Sequence, residues 1–197
     1  MKTVFFDVDT QIDFLYPAGA LYVPGAERLV PAVSRLNRFA AEHGIPVIST
    51  TDAHEEDDPE FRQWPPHCVV GTFGQRKPEK TLLDGRLVVP STAVELPVDR
   101  AAQIILEKQA LDCFTNPNLP AILDRLGAER AVVYGVVTEY CVRACALGLL
   151  GRGLPVEVVT DAIQTLKDED GKKALEEIQA AGGRLTSLEE LLRPSIG

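Results

Sequence analysis

Short apolar runs, nearly free of polar residues, alternate along this chain with longer stretches whose apolar side chains recur at helical spacing. Runs without a polar side are typical of strands buried on both faces, as in a parallel sheet that helices cover on each side. We therefore predict a parallel sheet between two layers of helices. The predicted strands are residues 3–8, 46–51, 103–107, 131–136, 156–159 and 184–186, and the predicted helices are residues 26–43, 140–151 and 168–181.

Size and composition indicate one domain. A chain of 197 residues with 45% hydrophobic content can build a single sizeable core, so we predict one domain over residues 1–197. Residues 53–101, here called the inserted segment, break the alternation, are rich in Pro, Glu and Asp, and hold the only Trp. Because connections of that length are more often functional than idle, we expect metal- or substrate-binding residues in it.

Charge and hydropathy exclude several kinds of partner. The formal net charge of −9 would repel a phosphate backbone, so nucleic acid is not an expected partner. No apolar run reaches the roughly 18–20 residues that span a bilayer, and Asp7 interrupts the N-terminal apolar run too early for a secretory signal. We expect a cytoplasmic protein with no membrane partner, whose four cysteines are free thiols.

Reactive side chains follow three of the predicted strands. Asp9 comes just after the first strand, Lys108 comes after strand 103–107, and Cys141 comes after strand 131–136. Parallel strands present their carboxyl ends at one edge of the sheet, where open α/β sheets bind ligands. The chain order therefore predicts that an acid, an ammonium and a thiol meet in one site.

Each of these residues also has a purely structural interpretation. A cysteine behind a strand is most often an inert small hydrophobe, an aspartate there is often a cap, and a lysine there usually reaches solvent. Cys141 lies at a predicted helix start, whose partial positive charge lowers the pKa of a thiol. A thiolate there could attack an amide or ester carbonyl, with Asp9 accepting the thiol proton and Lys108 setting the charge of both neighbours.

A second group of side chains has the composition of a metal site. Asp52 and His54 alternate out of one strand, so both can point the same way, and His67 would join them from the inserted segment. One carboxylate and two imidazoles suit zinc, manganese or iron. Spacing alone leaves open whether a metal binds, because Asp-x-His is a short pattern. His43, the remaining histidine, is interpreted as a solvent-facing helix end.

Five separated segments resemble one family, the nicotinamidase and isochorismatase-like cysteine hydrolases. They occur in the family's order. Within the family, the presence of both a nucleophilic cysteine and the metal motifs resembles the nicotinamidase branch. The segments are Asp9-Thr10-Gln11-Ile12-Asp13-Phe14, Thr51-Asp52-Ala53-His54, Trp64-Pro65-Pro66-His67-Cys68, Lys108 at a strand end, and Gly135-Val136-Val137-Thr138-Glu139-Tyr140-Cys141-Val142.

The resemblance implies a fold and an activity. The fold is a three-layer α/β/α sandwich with a parallel sheet of about six strands. The activity is amide hydrolysis that converts nicotinamide and water to nicotinate and ammonia through a thioester on Cys141, a step of pyridine nucleotide salvage in NAD metabolism. Asp9, Lys108 and Cys141 would form the catalytic triad. Relatives of this kind often form homo-oligomers, so a homo-oligomer is expected here.

Metal ligands also follow from the resemblance. It implies one divalent metal ion, zinc first, with manganese or iron as alternatives. In the family this ion binds the pyridine nitrogen of the substrate and places the amide over the thiol. The ligands would be Asp52, His54 and His67. A glutamate shortly before the second histidine is an extra ligand in some relatives, which makes Glu60 the fourth candidate.

The resemblance further implies how the substrate is held. A cis peptide between Val136 and Val137 would turn the Val137 amide, together with the Cys141 amide, toward the oxyanion of the reacting carbonyl. Aromatic side chains would sandwich the substrate ring. The aromatic residues at matching positions are Phe14, Trp64 and Tyr140, whose structural alternative is core packing.

Two positions depart from the family pattern and motivate an alternative substrate. Ala53 and Val137 stand where many relatives carry Trp and Ala, and the larger Val137 would narrow the pocket beside the oxyanion. The alternative is a related cysteine hydrolase that acts on another small amide, ureido or carbamoyl compound. A third hypothesis, from another class, is a non-catalytic metal-binding or redox-responsive protein in which Cys141 and Cys145 oxidise.

Overall fold

Seven parallel strands form one sheet at the centre of the molecule. The computed structural model describes residues 1–95 and 97–193. The strands are β1 Thr3–Val8, β2 Val47–Asp52, β3 Arg86–Val89, β4 Gln103–Lys108, β5 Arg130–Val136, β6 Val156–Gln164 and β7 Arg184–Thr186. Their order across the sheet is β3-β4-β2-β1-β5-β6-β7, and every neighbouring pair is parallel. The predicted parallel sheet of about six strands is confirmed.

Helices cover both faces of the sheet, which confirms the three-layer α/β/α sandwich. The helices are α1 Ile12–Leu15, α2 Val30–Glu42, α3 Leu119–Leu126, α4 Arg143–Gly151, α5 Asp168–Ala180 and α6 Leu188–Leu191. One apolar core contains Phe6 and Val133 and residues of α3, α4 and α5, whereas the other contains Phe5 and Tyr134 and residues of α2 and α6. Successive residues of β1 and β5 therefore belong to opposite cores, which is why these two strands are apolar along most of their length.

One strand and three helices escaped prediction: β3, α3, and the four-residue helices α1 and α6. β3 lies at the edge of the sheet within the inserted segment, and both Arg86 and Val88 are exposed. It therefore lacks the continuous buried apolar run that marked the other strands. α3 is only 8 residues long, which is too short for helical periodicity to stand out from the surrounding sequence.

The helix predicted at residues 26–43 is a 3-10 turn, Ala26–Leu29, that continues into α2. His43 follows the last residue of α2 and is exposed, as predicted. None of the helices in the described part of the chain is both long and apolar enough to cross a membrane. The single-domain prediction over residues 1–197 includes Leu96 and residues 194–197, which lie outside the described residues, and it stays a prediction.

Buried polar side chains just after β1 tie the inserted segment to the sheet. Asp13 accepts a hydrogen bond from the Cys68 amide at 2.7 Å. Gln11 accepts one from the Asp52 amide at 2.7 Å and donates to the carbonyl oxygens of Asp52 and Gln75, each at 2.8 Å. These contacts satisfy backbone groups of a long connection and hold that connection beside the ends of the strands.

Gly135 in β5 is a position where the fold leaves no room for a side chain. Its φ is +122°, and an added Cβ would lie 2.1 Å from the carbonyl oxygen of Val8 in the adjacent strand β1. Gly135→Ala is therefore expected to lower the free energy of unfolding by about 4 kcal/mol or more, because backbone strain adds to a clash between two central strands. Chemical denaturation measures this loss.

Gly182→Ala is the matched control for that experiment. Gly182 also has a positive φ, +97°, but no described atom lies within 4 Å of an added Cβ. The control should lose only about 1–2 kcal/mol, which is the contribution of backbone strain alone. An equal loss in both variants would show that the contact with Val8 does not limit this position.

Candidate active site

Four strand ends meet at one cavity. Asp9 follows β1, Asp52 ends β2, Lys108 ends β4, and Cys141 lies shortly after β5. These strands are neighbours in the order β4-β2-β1-β5, so side chains from distant parts of the chain come together at the carboxyl edge of the sheet. The structure thus brings the predicted acid, ammonium and thiol into one group.

Lys108 lies at the centre of this group. Its Nζ is 2.8 Å from Asp9 Oδ2, donates a hydrogen bond to Asp52 Oδ1, and lies 3.7 Å from Cys141 Sγ. All four residues are buried, with Asp9 and Lys108 each 1% exposed. A buried ammonium and two buried carboxylates depend on one another, because removing one charge leaves the others unpaired in a poorly solvated site.

A turn at the end of β1 holds Asp9 in place. Its φ is +48°, in the left-handed region that residues other than glycine seldom occupy, although aspartate tolerates it better than most. Asp9 Oδ1 accepts a hydrogen bond from Thr50 Oγ1 at 2.6 Å, and the Asp9 amide donates to the Thr50 carbonyl oxygen at 3.1 Å. β2 thus fixes the backbone and one carboxylate oxygen of Asp9, while Oδ2 faces Lys108.

The charges of this group follow from burial and from mutual contact. Burial raises the pKa of Asp9, against the attraction of Lys108. Although burial also opposes the charge on Lys108, the carboxylates of Asp52 and Asp9 raise the pKa of Lys108 well above its ordinary value. For Asp52, Lys108 outweighs burial and lowers the pKa to about 2. Lys108 therefore stays an ammonium and Asp52 a carboxylate, whereas Asp9 is the group best suited to exchange a proton.

Cys141 differs in one respect from the sequence prediction. It lies in a π-helical turn, Thr138–Val142, which leads into α4. Burial raises the pKa of the Cys141 thiol well above its ordinary value, with Lys108 opposing the rise and Asp9 adding to it. The helix start that was predicted to lower this pKa therefore does not dominate, and the resting side chain is a thiol that needs a base.

Asp52 also belongs to a second group, with His54 and His67. The ligand atoms of these three buried residues lie within 4.8 Å of one another, and Asp52 Oδ2 is 3.9 Å from Nε2 of each histidine. One carboxylate oxygen and two imidazole nitrogens at such separations match a site for a first-row divalent metal. Because Asp52 Oδ1 faces Lys108 and Oδ2 faces the histidines, one carboxylate joins the two groups.

Both imidazoles are oriented for ligation. His54 Nδ1 is 2.9 Å from Asp58 Oδ2, and His67 Nδ1 is 2.8 Å from the Pro65 carbonyl oxygen. A carbonyl oxygen or a carboxylate only accepts hydrogen bonds, so Nδ1 is the donor in each ring and Nε2 faces Asp52. His54 Nε2 is buried and has no hydrogen-bond partner among the described residues. A buried, unpaired ring nitrogen next to these donors fits a divalent metal ion.

Glu60, the fourth candidate ligand, lies in a 3-10 turn, Pro59–Arg62. It is partly buried and lines the cavity. Its carboxylate is not part of the group of three described ligand atoms that lie within 4.8 Å of one another. Its role as an additional ligand therefore stays a prediction.

The cavity has a largely apolar wall. The predicted aromatic frame, Phe14, Trp64 and Tyr140, lines it. The rings of Trp64 and Tyr140 meet edge-on with centroids 5.6 Å apart, and Phe14 packs against His67 at 5.4 Å. Further apolar residues that the sequence pattern did not single out complete the wall: Leu21, Val23, Leu111, Val136 and Leu166. Such a lining suits a flat, apolar ring.

Of the two departures from the family pattern, Val137 is the one at the cavity. Val137 lines it, and the peptide between Val136 and Val137 is cis, as the resemblance implied. Ala53 is buried but is not among the described residues that line the cavity. Val137 is therefore the departure through which the width of the pocket changes.

Two carboxylates that sequence reasoning missed hold loops of the site. Asp58 contacts His54, and Glu139 accepts hydrogen bonds from the backbone amides of Leu166 and Lys167 at 2.9 Å and 3.1 Å. Asp58 is four residues from His54, but in an irregular segment this spacing does not imply a contact, so nothing in the sequence marks it. Glu139 lies in a recognised motif, but nothing in the sequence indicates that it anchors the loop that brings Leu166 to the cavity.

The other cysteines lie outside the cavity lining. All four cysteines are free, as predicted. The thiols of Cys145 and Cys113 interact in the core, and burial raises the pKa of Cys145 well above its ordinary value. Cys145 is thus a buried core thiol with a raised pKa, which does not support a redox partnership between Cys145 and Cys141.

Residues 3–190 match the Isochorismatase domain. The nicotinamidase/pyrazinamidase of Mycobacterium tuberculosis is 29% identical over 187 residues, which cover 90% of this chain and 95% of that protein. The crystal structure of the pyrazinamidase of Pyrococcus horikoshii in complex with zinc aligns with a TM-score of 0.79 and 34% identity, over 95% of this chain and 99% of that one. The N-carbamoylsarcosine amidase of Thermoplasma acidophilum aligns with a TM-score of 0.80 and 26% identity, over 98% of this chain and 100% of that one.

Proposed function

Because the chain belongs to the isochorismatase domain family, we propose that it is a metal-assisted cysteine amidohydrolase, and specifically a nicotinamidase. It would convert nicotinamide and water to nicotinate and ammonia through a thioester on Cys141. The observation that carries this proposal is the buried group of Asp9, Lys108 and Cys141 at one wall of a cavity whose other wall holds a metal-type donor set. We further propose that it acts in the cytoplasm on this small-molecule amide.

The first half-reaction follows from the protonation of the resting site. Cys141 is a thiol whose pKa burial raises, and Asp9 is a neighbouring carboxylate whose pKa burial also raises. Asp9 takes the proton from Cys141 Sγ as the sulfur forms a bond to the amide carbon. The carbonyl oxygen becomes an oxyanion, which the backbone amides of Val137 and Cys141 would hold. Asp9 then returns the proton to the nitrogen, the C–N bond breaks, and ammonia leaves.

The second half-reaction reverses these roles. Asp9, again a carboxylate, takes a proton from a water molecule whose oxygen attacks the thioester carbon. When the C–S bond breaks, that proton passes from Asp9 to Sγ, and the carboxylic acid product leaves a thiol behind. Lys108 keeps its charge throughout, and its Nζ, 2.8 Å from Asp9 and 3.7 Å from Cys141 Sγ, stabilises whichever of the two is anionic.

Asp52, His54 and His67 would hold one divalent metal ion, zinc first. The unpaired, buried His54 Nε2 supports this assignment, and a solved pyrazinamidase relative is a complex with zinc. When bound, the ion would supply a Lewis-acid position for a ring nitrogen of the substrate. Because Asp52 belongs to both groups, one side chain holds the metal position and the charged group around the Cys141 thiol.

The charge of the cavity wall favours a neutral carboxamide. Three carboxylates, those of Asp9, Asp52 and Glu60, line the cavity, and no arginine or lysine is among the described lining residues. A substrate that carries its own carboxylate, such as N-carbamoylsarcosine, would find no guanidinium there, and the ammonium of Lys108 is already engaged by Asp9 and Asp52. A neutral aromatic amide suits the apolar frame of Phe14 and Trp64.

Ammonia release from a panel of amides tests this proposal. With zinc-loaded protein, kcat/KM for nicotinamide should exceed that for N-carbamoylsarcosine on the order of 100-fold, because the described lining offers a substrate carboxylate no arginine or lysine to pair with. Benzamide, which has the ring but no ring nitrogen, should also be a poorer substrate. Treatment with a chelator should remove nicotinamide hydrolysis, and added zinc should restore it.

A higher kcat/KM for another member of the panel than for nicotinamide would support the alternative, a hydrolase of another small amide, ureido or carbamoyl compound. Val137 is the observation in its favour, because it narrows the cavity beside the proposed oxyanion position. Turnover of a smaller amide in the panel with no release of ammonia from nicotinamide would overturn the nicotinamidase proposal and leave the cysteine amidohydrolase proposal standing.

A further inference from the structure

Asp58 divides its two carboxylate oxygens between two partners. Oδ2 is 2.9 Å from His54 Nδ1, and Oδ1 accepts a hydrogen bond from the Glu60 amide at 2.8 Å. The second contact caps the 3-10 turn Pro59–Arg62. Asp58 itself sits at the surface end of this arrangement, with its side chain 12% exposed, whereas the His54 side chain is fully buried.

The turn that Asp58 caps packs against the same histidines. The ring of Phe61, in that turn, meets the ring of His54 edge-on at 5.4 Å and the ring of His67 at 5.8 Å. One carboxylate therefore fixes the His54 ring directly and, through the capped turn, the aromatic side chain that packs on both imidazoles.

The consequence concerns which nitrogen of His54 is available. Because Asp58 only accepts, His54 Nδ1 carries the hydrogen and Nε2 is the nitrogen that faces Asp52 and His67. A ring free to rotate, or one with its hydrogen on Nε2, would present no lone pair to a metal at that place. Groups that hold ligating histidines in this way commonly contribute 10–100-fold to metal affinity.

We propose that Asp58 is a positioning residue for metal binding, which holds His54 with Nε2 directed at the ion. The inference rests on the metal site of the proposed function and adds to it a residue that contacts neither the metal nor the substrate. Asp58 acts only through His54, so its loss should weaken metal binding without removing any ligand.

The test is a zinc dissociation constant for the full-length protein, measured by competition with a chromophoric chelator. Asp58→Ser is the informative variant, because serine still caps a turn but is too short to reach His54 Nδ1. It should bind zinc 10–100-fold more weakly than the parent. The rise in the urea midpoint that saturating zinc produces should be smaller in Asp58→Ser than in the parent, whereas a merely structural role of Asp58 would lower the midpoints with and without zinc alike.

Asp57→Ser is the matched control, since Asp57 is an exposed neighbour in the same loop, and it should bind zinc as the parent does. The inference would be overturned if Asp58→Ser bound zinc as tightly as the parent. It would also be overturned if Asp58→Ser and Asp57→Ser lost zinc affinity to the same extent. A parent that binds no zinc would overturn the metal site and this inference together. Tight zinc binding that depends on Asp58, without hydrolysis of any amide, would overturn the proposed function alone.

Discussion

Cys141→Ala is expected to abolish amide hydrolysis, with a fall in kcat on the order of 10⁵-fold, because none of the other described residues that line the cavity carries a thiol. The fold should persist, since alanine removes only one buried sulfur atom. The free energy of unfolding should change by about 1 kcal/mol or less, and zinc content should not change, because Cys141 is not among the candidate ligands. Ammonia release, denaturation and metal analysis on one preparation check all three expectations.

Cys145→Ala is the control for this variant. Cys145 lies one helical turn further on, is also buried, and interacts with Cys113 in the core. It should lose some stability, because a core contact is removed, and keep its catalytic rate. Full activity in Cys141→Ala would contradict the assignment of the nucleophile. Comparable loss of activity in both variants would point to a general disturbance of α4 instead.

Lys108→Met should cost both activity and stability. Methionine keeps much of the length of the side chain but removes the ammonium that contacts Asp9 and Asp52, so the two buried carboxylates lose the counterion that they share. We expect a loss of about 3–5 kcal/mol in the free energy of unfolding. We also expect a fall in kcat/KM of at least about 10³-fold, because the charge beside Cys141 and Asp9 is gone.

The stability loss in Lys108→Met should depend on pH in a defined direction. In the parent, Lys108 keeps the pKa of Asp52 at about 2 and opposes the effect of burial on Asp9. Without it, the pKa of Asp9, which burial already raises, rises further, and the pKa of Asp52 rises because its largest opposing charge is lost. The folded variant then binds more protons than the folded parent, so its stability relative to the parent falls as pH rises. The deficit relative to the parent should therefore be smaller at pH 5 than at pH 8.

Urea denaturation of chelator-treated protein at both pH values measures this difference. Lys172→Met, at an exposed lysine in α5, is the control and should change stability by about 0.5 kcal/mol or less at either pH. A deficit that is the same at pH 5 and pH 8, or that grows on acidification, would show that Lys108 does not neutralise the two carboxylates.

The sequence was most informative about residues that directly follow buried strands. β1, β2, β4 and β5 are buried along most of their length. Parallel pairing places Asp9, Asp52, Lys108 and Cys141 at one edge of the sheet, independently of the loop conformations. That part of the site could be predicted because strand order and direction determine it. The edge strand β3 could not, because its residues are too exposed to show a pattern.

Contacts made by loops were beyond prediction from one sequence. Asp58 and His54 are four residues apart in an irregular segment, where spacing does not determine distance as it does in a helix. Glu139 and Leu166 are separated by a strand and a helix, so their contact exists only in the folded chain. The shift in the pKa of the Cys141 thiol was predicted in the wrong direction, because burial raises this pKa more than the helix start lowers it. Burial is a property of the packed structure and cannot be read from one sequence.

The central claim is that Cys141 carries the acyl group during turnover, and mass spectrometry of acid-quenched reactions tests it most directly. Zinc-loaded protein is mixed with nicotinamide, quenched in acid at successive times, and digested. The peptide that contains Cys141 should carry a nicotinoyl group during turnover and lose it when substrate is exhausted, and Cys141→Ala should show no adduct. Continued release of ammonia with that peptide unmodified throughout, or an adduct on a different side chain, would contradict the account.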